Sequence, residues 1–355
     1  MTKKKVLVGL SGGVDSSVSA LLLKEQGYEV HGLFMKNWDD DDGSPYCSIK
    51  EDFMDAAFVA DQIDIPLVQI SFSQAYKERV FSYFLSELEA GRTPNPDILC
   101  NKEIKFKEFY NYARSNDYHY IATGHYARTN NVSLFKGIDN SKDQSYFLHA
   151  IDKEALEHTL FPLGELKKDK VRAIARENNL ITSEKKDSTG ICFIGERPFP
   201  EFVGNYLGGE EGEIVDDNDS VIGTHKGLIF YTLGQRQGLG IGGVKDAPDL
   251  PWYVANKDLE SNKLICVQGN ENPLLFSSEL ETKNTFIIED SLPKSFDGTA
   301  KVRYRQKDQK CHVELSEGSM KLLFREPQRS VTPGQSVVIY KDEKCLGGGE
   351  IKSIN

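Results

Sequence analysis

Residues 9–17 read GLSGGVDSS, between an apolar run at 5–10 and a stretch with apolar residues at 14, 18, 21 and 22 that stops at Gly27. An apolar strand running through a glycine-rich turn into an amphipathic helix is the opening of a parallel α/β unit, which commits the chain to a sheet covered by helices. Glycines there let the backbone turn its N–H groups inward as an anion nest, at the positive end of a helix dipole. Ser11, Ser16 and Ser17 can add hydroxyl donors, and Asp15 is placed to help hold magnesium. A Walker loop needs a lysine after its last glycine, whereas here Val14 and Asp15 follow Gly13. The segment is a phosphate loop, but not one of the kinase or GTPase type.

The alternation continues. Strands are expected at 29–35, 67–72 and 120–124, and helices at 52–63, 75–89 and 104–114. In such parallel sheets ligands sit at the carboxyl ends of the strands. After about residue 198 helical periodicity fades and short β-rich runs take over, at 227–233, 252–255 and 263–267. From about 279 the runs 285–288, 298–304, 311–315, 321–324 and 336–340 follow closely enough to suggest a small all-β barrel. With 355 residues, too many for one ordinary core, the chain divides into an α/β domain at 1–197, a central β-rich domain at 198–275 and a C-terminal β-barrel at 276–355.

The lysines of the N-terminus precede an apolar stretch too short for a signal peptide, and no run approaches the length of a membrane helix. The expected compartment is the cytoplasm, with no membrane partner. Six cysteines without a C-x-x-C pair argue against a zinc ribbon, a thioredoxin-type motif or a disulfide scaffold. The net charge of −11 argues against nucleic-acid binding by bulk attraction, so any such binding needs a local basic face. One candidate is 301–310, where Lys301, Arg303, Arg305, Lys307 and Lys310 stand against a single Asp308; on a strand Arg303 and Arg305 would share a face. The acidic run 39–42 reads equally as a solvated loop or as a segment near the nucleotide.

Two cysteines lie in polar, turn-forming segments with lysines nearby: Cys100 in GRTPNPDILCNKEIKF (91–106) and Cys192 in KKDSTGICFIGE (185–196). Nearby lysines could lower a thiol pKa. Cys47, Cys266, Cys311 and Cys345 read as small hydrophobes. The loop resembles the S-G-G-x-D-S signature of the ATP-pyrophosphatase (PP-loop) superfamily. Together with the two cysteine segments, LFMKNW (33–38), ATGHYAR (122–128), KDQSYFL (142–148), FPLGELKKDKVR (161–172), YTLGQRQGLGIGG (231–243), VRYRQ (302–306) and VTPGQSVVIY (331–340), the chain resembles the bacterial tRNA-uridine 2-sulfurtransferase family over nearly its whole length.

The resemblance implies ATP and Mg2+ as cofactors and tRNA as substrate. It further implies an adenylated uridine oxygen displaced by sulfur, and a sulfur-relay protein or cysteine desulfurase that delivers the persulfide. It assigns ATP to Gly9, Leu10, Ser11, Gly12, Gly13, Val14, Asp15, Ser16, Met35 and Gly124, with Asp15 as the metal contact. Cys192 corresponds to the persulfide carrier and Cys100 to the nucleophile that forms a transient disulfide with it. Asn95, Pro96 and Asp97 correspond to the contact with the target base, Asp97 being a candidate general acid/base. His125, Lys142, Asp143, Gln144, Tyr304, Arg305 and Gln335 correspond to tRNA contacts, although His125 reads alternatively as a structural histidine at a strand end. A monomer is expected. Three rival readings stay open from the residues alone. A PP-loop amidating enzyme has no use for the two cysteines, a redox sensor does not account for 95–97, and an iron–sulfur thiolase lacks cluster-spaced cysteines.

Overall fold

The computed structural model describes residues 3–38, 49–130, 132–187, 198–242 and 250–355. The acidic run 39–42, Cys47 and the segment carrying Cys192 lie outside the described residues.

Five strands, β1 (Lys5–Gly9), β2 (Glu29–Lys36), β3 (Leu67–Ser71), β4 (Tyr120–Ala122) and, later in the chain, Thr159–Leu160, form a wholly parallel sheet. Their order is β3, β2, β1, β4, then Thr159–Leu160. β1 reads as an uninterrupted apolar run because both of its faces are covered: Val6, Leu7 and Val8 are wholly buried. The strand order reverses between β1 and β4, which places a crevice at their carboxyl ends. Helix α1 (Val14–Glu25) follows β1, and α2 (Ile49–Gln62) packs against the same layer, with Val18, Ala56 and Val59 among the core residues.

The amphipathic run expected at 75–89 is helical from Ser73 to Glu89, but Lys77–Phe81 is π-wound. The next run begins at Pro96 and is π-wound over Asn101–Glu108, immediately after Cys100. Such wider turns carry an extra residue per turn and are frequent near functional sites.

Between β4 and Thr159–Leu160, a hairpin of β5 (Ala127–Thr129) and β6 (Leu134–Lys136) leaves the parallel sheet. Taking Thr159–Leu160 as β7, the central region has β8 (Gly212–Val215), β9 (Val221–His225), β10 (Trp252–Asp258) and β11 (Lys263–Gln268) in the order β10-β11-β8-β9. The expected strand at 227–233 is instead a tight 3-10 turn, Leu228–Phe230. Its apolar residues Leu228, Tyr231 and Leu233 fill the central core without pairing in a sheet.

The last region holds β12 (Phe276–Ile287), β13 (Ser295–Lys301), β14 (Gln309–Ser316), β15 (Ser319–Arg329), β16 (Ser336–Lys341) and β17 (Lys344–Ile354). Pairing of β12 with both β15 and β17 closes a six-stranded barrel around Val313, Leu322, Val337, Ile339 and Ile351. β6 pairs with β17, so the hairpin from the first half of the chain extends the barrel sheet.

The strand expected over 298–304 ends at Lys301. Gln306 Oε1 takes the Val302 N–H at 2.8 Å and Arg303 O accepts from Gln306 N at 3.1 Å, so a side chain captures the backbone and turns it. Arg303 and Arg305 therefore do not share a strand face. Lys301 is buried, with its ammonium 3.4 Å from Asp143 and 3.7 Å from Asp308. Arg303 Nη2 donates to Leu233 O and Ser330 O at 3.2 and 2.9 Å. Arg303 and Arg305 are both exposed, but only Arg303 is tied to the backbone by such bonds.

Candidate functional site

The phosphate loop spans the sharp bend from β1 into α1. Gly12 has φ +74°, and a Cβ there would lie 2.2 Å from the Asp52 carbonyl oxygen, so only glycine fits. A Cβ on Gly124, just past β4, would lie 2.9 Å from the backbone of Asp15 and Ser16. The loop that follows β4 thus lies against the backbone of the first turn of α1. Gly13 caps α1 without a side-chain bond, which leaves first-turn N–H groups open to an anion.

The serines divide. Ser16 Oγ donates to Gly13 O at 3.0 Å and accepts from Ser11 N at 3.2 Å, shaping the loop. Ser17 is wholly buried; its hydroxyl donates to Gly13 O at 2.8 Å and accepts from Thr182 at 3.1 Å. The expectation of three outward hydroxyl donors is corrected for Ser16 and Ser17, whose hydroxyl protons both go to Gly13 O. Met35, near the end of β2, reaches the same crevice: its Cε lies 3.1 Å from where a Cβ on Gly9 would stand.

Asp15 is the hub of a charge network. Its Oδ1 accepts from Tyr126 Oη at 2.8 Å, and Lys168 Nζ donates to Oδ1 and Oδ2 at 2.7 and 2.8 Å. Burial and the Asp15 charge push the Tyr126 hydroxyl well up, so it stays a donor. Lys168 also pairs with Asp187 at 2.7 Å, and Asp187 in turn binds Lys142 at 2.7 Å and Arg172 at 2.9 Å. Burial alone would raise the Asp187 carboxyl, but hydrogen bonds from Lys142 and Lys168 hold it down at about 2. Lys185 binds Asp52 and Asp55 of α2 at 2.7 and 2.5 Å. The chain leading toward Cys192 is thereby tied to the phosphate loop up to its last described residue.

Sequence reading missed Lys168, Tyr126, Asp187 and Lys185. They lie within or beside the quoted motifs, but nothing in the string says that Tyr126, Lys168 and Asp187 gather around Asp15 or that Lys185 binds Asp52 and Asp55. No group of three or more His, Cys, Asp or Glu among the described residues could hold a metal by itself. Both Asp15 carboxylate oxygens accept from Lys168, so a magnesium ion held there would share the carboxylate with that ammonium and take its other ligands from phosphates and water.

A second cluster lies beside the first. Asn95 Oδ1 caps the helix Pro96–Cys100 by accepting from Asp97 N at 3.1 Å, with Pro96 in the first turn. Cys100 is wholly buried, in a cluster with Trp38, Tyr76, Phe81, Ile104 and Phe202. Trp38 stands two residues past β2, so this cluster sits at the carboxyl edge of the parallel sheet.

The expected tRNA contacts meet in two places. Tyr304 Oη donates to Lys142 O at 3.4 Å, and its ring centroid lies 4.4 Å from that of Phe147, joining 142–144 to 304–305. Gln335 Nε2 donates to Thr93 O at 2.7 Å, bringing the barrel to the loop before Asn95. Asp143 is buried, accepting from Gly137 N and Ser145 N at 3.1 Å. Gln144 Oε1 accepts from Tyr126 N at 3.0 Å. His125 is buried against Phe106 and Phe161, with Nδ1 2.7 Å from Thr123 Oγ1. Burial, then the Lys105 charge, holds its imidazole well below the ordinary histidine value, so it is neutral near pH 7. Cys266, Cys311 and Cys345 are buried, and burial pushes each thiol up to about 12, as suits inert core residues. No helix among the described residues is long and apolar enough to cross a membrane.

Comparison with known proteins matches three family profiles in succession: a tRNA methyl transferase HUP domain over residues 4–196, a tRNA methyl transferase PRC-barrel domain over 200–268, and an aminomethyltransferase beta-barrel domain over 277–351. Proteins named tRNA-specific 2-thiouridylase MnmA in Francisella tularensis subsp. novicida and subsp. holarctica are each 57% identical, over 99% of this chain and 100% of theirs. Among solved structures, a 4-thiouridine synthetase–RNA complex with bound ATP aligns at 16% identity and a TM-score of 0.35, covering 57% of this chain and 50% of that one. Identity of this degree along the full length of its relatives places the chain in the tRNA-specific 2-thiouridylase family.

Proposed function

We propose that the protein thiolates the wobble uridine of tRNA at its 2-position, using ATP and a cysteine persulfide. The uridine oxygen attacks the α-phosphorus of ATP and diphosphate leaves, converting a poor leaving group into AMP. Sulfur from the Cys192 persulfide then bonds to C2, and AMP departs with the oxygen. Cys100 releases or resolves the sulfur, so that Cys100 and Cys192 end as a disulfide which an external thiol must reduce. Asp15 would share a magnesium ion with the phosphates, whose contribution is to offset negative charge as diphosphate leaves. Asn95, Pro96 and Asp97 receive the base, which must leave the anticodon stack to reach them. The first domain (1–197) carries the chemistry, while the central (198–275) and barrel (276–355) domains position the RNA. The enzyme acts as a cytoplasmic monomer, loaded with sulfur by a relay protein or desulfurase.

The observation that carries this reading is the placement of Cys100 and the Asn95–Asp97 cap at the sheet edge that also holds the phosphate loop, with Gln335 of the barrel bonded to the same segment. Sulfur loading and tRNA nucleosides, followed by mass spectrometry, test it. Cys192→Ser should accept no sulfur. Cys100→Ser should accept it but form no 2-thiouridine, and both should still adenylate tRNA, seen as diphosphate release with tRNA present. Full 2-thiouridine formation by Cys100→Ser would falsify the two-cysteine mechanism.

A further inference from the structure

Seven side-chain nitrogen and oxygen atoms among the described residues are buried without a hydrogen-bond partner, and four of them belong to three residues around Cys100. They are Nδ2 and Oδ1 of Asn37, Nε1 of Trp38 and Oδ1 of Asn101. Asn37, Trp38 and Asn101 are 1%, 2% and 3% exposed, so bulk water does not serve them. Folded proteins keep few such orphans, because each has lost its hydration with nothing in return.

Their placement is specific. Asn37 directly follows the last residue of β2, at the carboxyl edge where ligands of parallel sheets bind. Trp38 packs edge-to-face on Tyr76 and Phe81, at 5.9 and 4.9 Å, within the cluster that holds Cys100. Asn101 adjoins Cys100, and its Nδ2 is already spent on Phe147 O at 3.2 Å, leaving Oδ1 open.

The open atoms are two donors and two acceptors, all neutral. A phosphate or carboxylate would find two acceptors against it, and an ammonium group two donors. The edge of a uracil, with O2, N3–H and O4 in one plane, needs a donor, an acceptor and a donor, and a single primary amide supplies two of these side by side. We propose that Asn37 reads the target uracil, its Oδ1 accepting from N3–H and its Nδ2 donating to O4, which leaves O2 free to meet the nucleotide. This assignment rests on the thiolation proposed above and adds to it a residue that selects the base.

The test compares anticodon stem-loop RNAs carrying uridine or N3-methyluridine at the wobble position. Steady-state AMP release and, with sulfide supplied, 2-thiouridine formation are measured for wild type, Asn37→Ala and Asn37→Leu. Wild type should favour uridine strongly. In Asn37→Ala, kcat/KM for uridine should fall about 10- to 100-fold. Binding of the stem-loops without ATP, where no N3 proton has to leave, should then agree within about threefold between the two RNAs in Asn37→Ala, because the variant no longer senses the N3 proton. ATP affinity should not change. Asn37→Leu, of similar shape and without polar atoms, should melt no lower than wild type, since the free protein loses no hydrogen bond. Retention of the uridine preference in binding by Asn37→Ala, or lower melting of Asn37→Leu by several degrees, overturns the assignment while leaving thiolation standing. A wild-type enzyme that thiolates neither RNA overturns both.

Discussion

At the scale of single residues, Asp15 carries the most weight. The motif alone marked it as a metal contact, yet its carboxylate is held by Lys168 and Tyr126, the first of which lies far along the chain. Such pairings are invisible to periodicity, which reports faces of elements and not what folds against them. Lys168 keeps Asp187 as a partner when Asp15 is neutralised, so the fold should tolerate the change. Asp15→Asn is expected to lower tRNA-dependent AMP release by about 10²-fold or more, the scale of removing one preorganised electrostatic contact. Its thermal unfolding should stay close to wild type. AMP release at the wild-type rate would remove Asp15 from the nucleotide site. Ser17 teaches the converse: a hydroxyl in the right motif can be wholly engaged in holding the backbone.

Among the elements, the central strand β1 was the most legible, because burial on both faces leaves a short apolar run that the glycine-rich turn after it bounds. Thr159–Leu160, only two residues long, left no such signal. The misread segments have two separate causes. At 227–233 the apolar residues are core without being strand, and at 302–306 Gln306 takes the backbone N–H that a strand would have spent on pairing. The turn divides the two arginines by role, and their variants should separate accordingly. Arg305→Ala should weaken tRNA binding and lower the slope of log K against log salt by about one unit. Arg303→Ala should leave that slope unchanged but cost about 1–3 kcal/mol of stability, since it strips the bonds to Leu233 O and Ser330 O. Filter binding across a salt series, paired with thermal melts, distinguishes the two. Equal salt slopes for wild type and Arg305→Ala would remove Arg305 from the interface.

For the molecule as a whole, the contacts between the first domain and the barrel were beyond sequence reading, because they join stretches with no common periodicity. His149 lies in that junction: its Nδ1 is 2.9 Å from Tyr146 O, and a Cβ on Gly348 of β17 would meet its ring at 2.5 Å. Burial brings its pKa down to about 4. The unfolded chain, with an ordinary histidine near 6.5, takes up a proton first as the pH falls. The stability His149 contributes is therefore intact above about pH 6.5, declines toward pH 4 and is lost below it, amounting to about 3 kcal/mol. Buried His125 should add a loss of the same sign. Unfolding temperatures measured between pH 7 and 4 should fall less steeply for His149→Gln than for wild type, and parallel curves would refute the assignment.

The pairing of β6 with β17 also bears on how the chain is made. During synthesis the β5–β6 hairpin emerges roughly two hundred residues before the strand that covers its edge. Throughout that interval its N–H and C=O groups offer a template to any passing strand. The first domain can close its parallel sheet early, but the edge of its hairpin is sealed only when the barrel's final strand arrives, so the nascent first domain cannot reach its finished form ahead of the barrel.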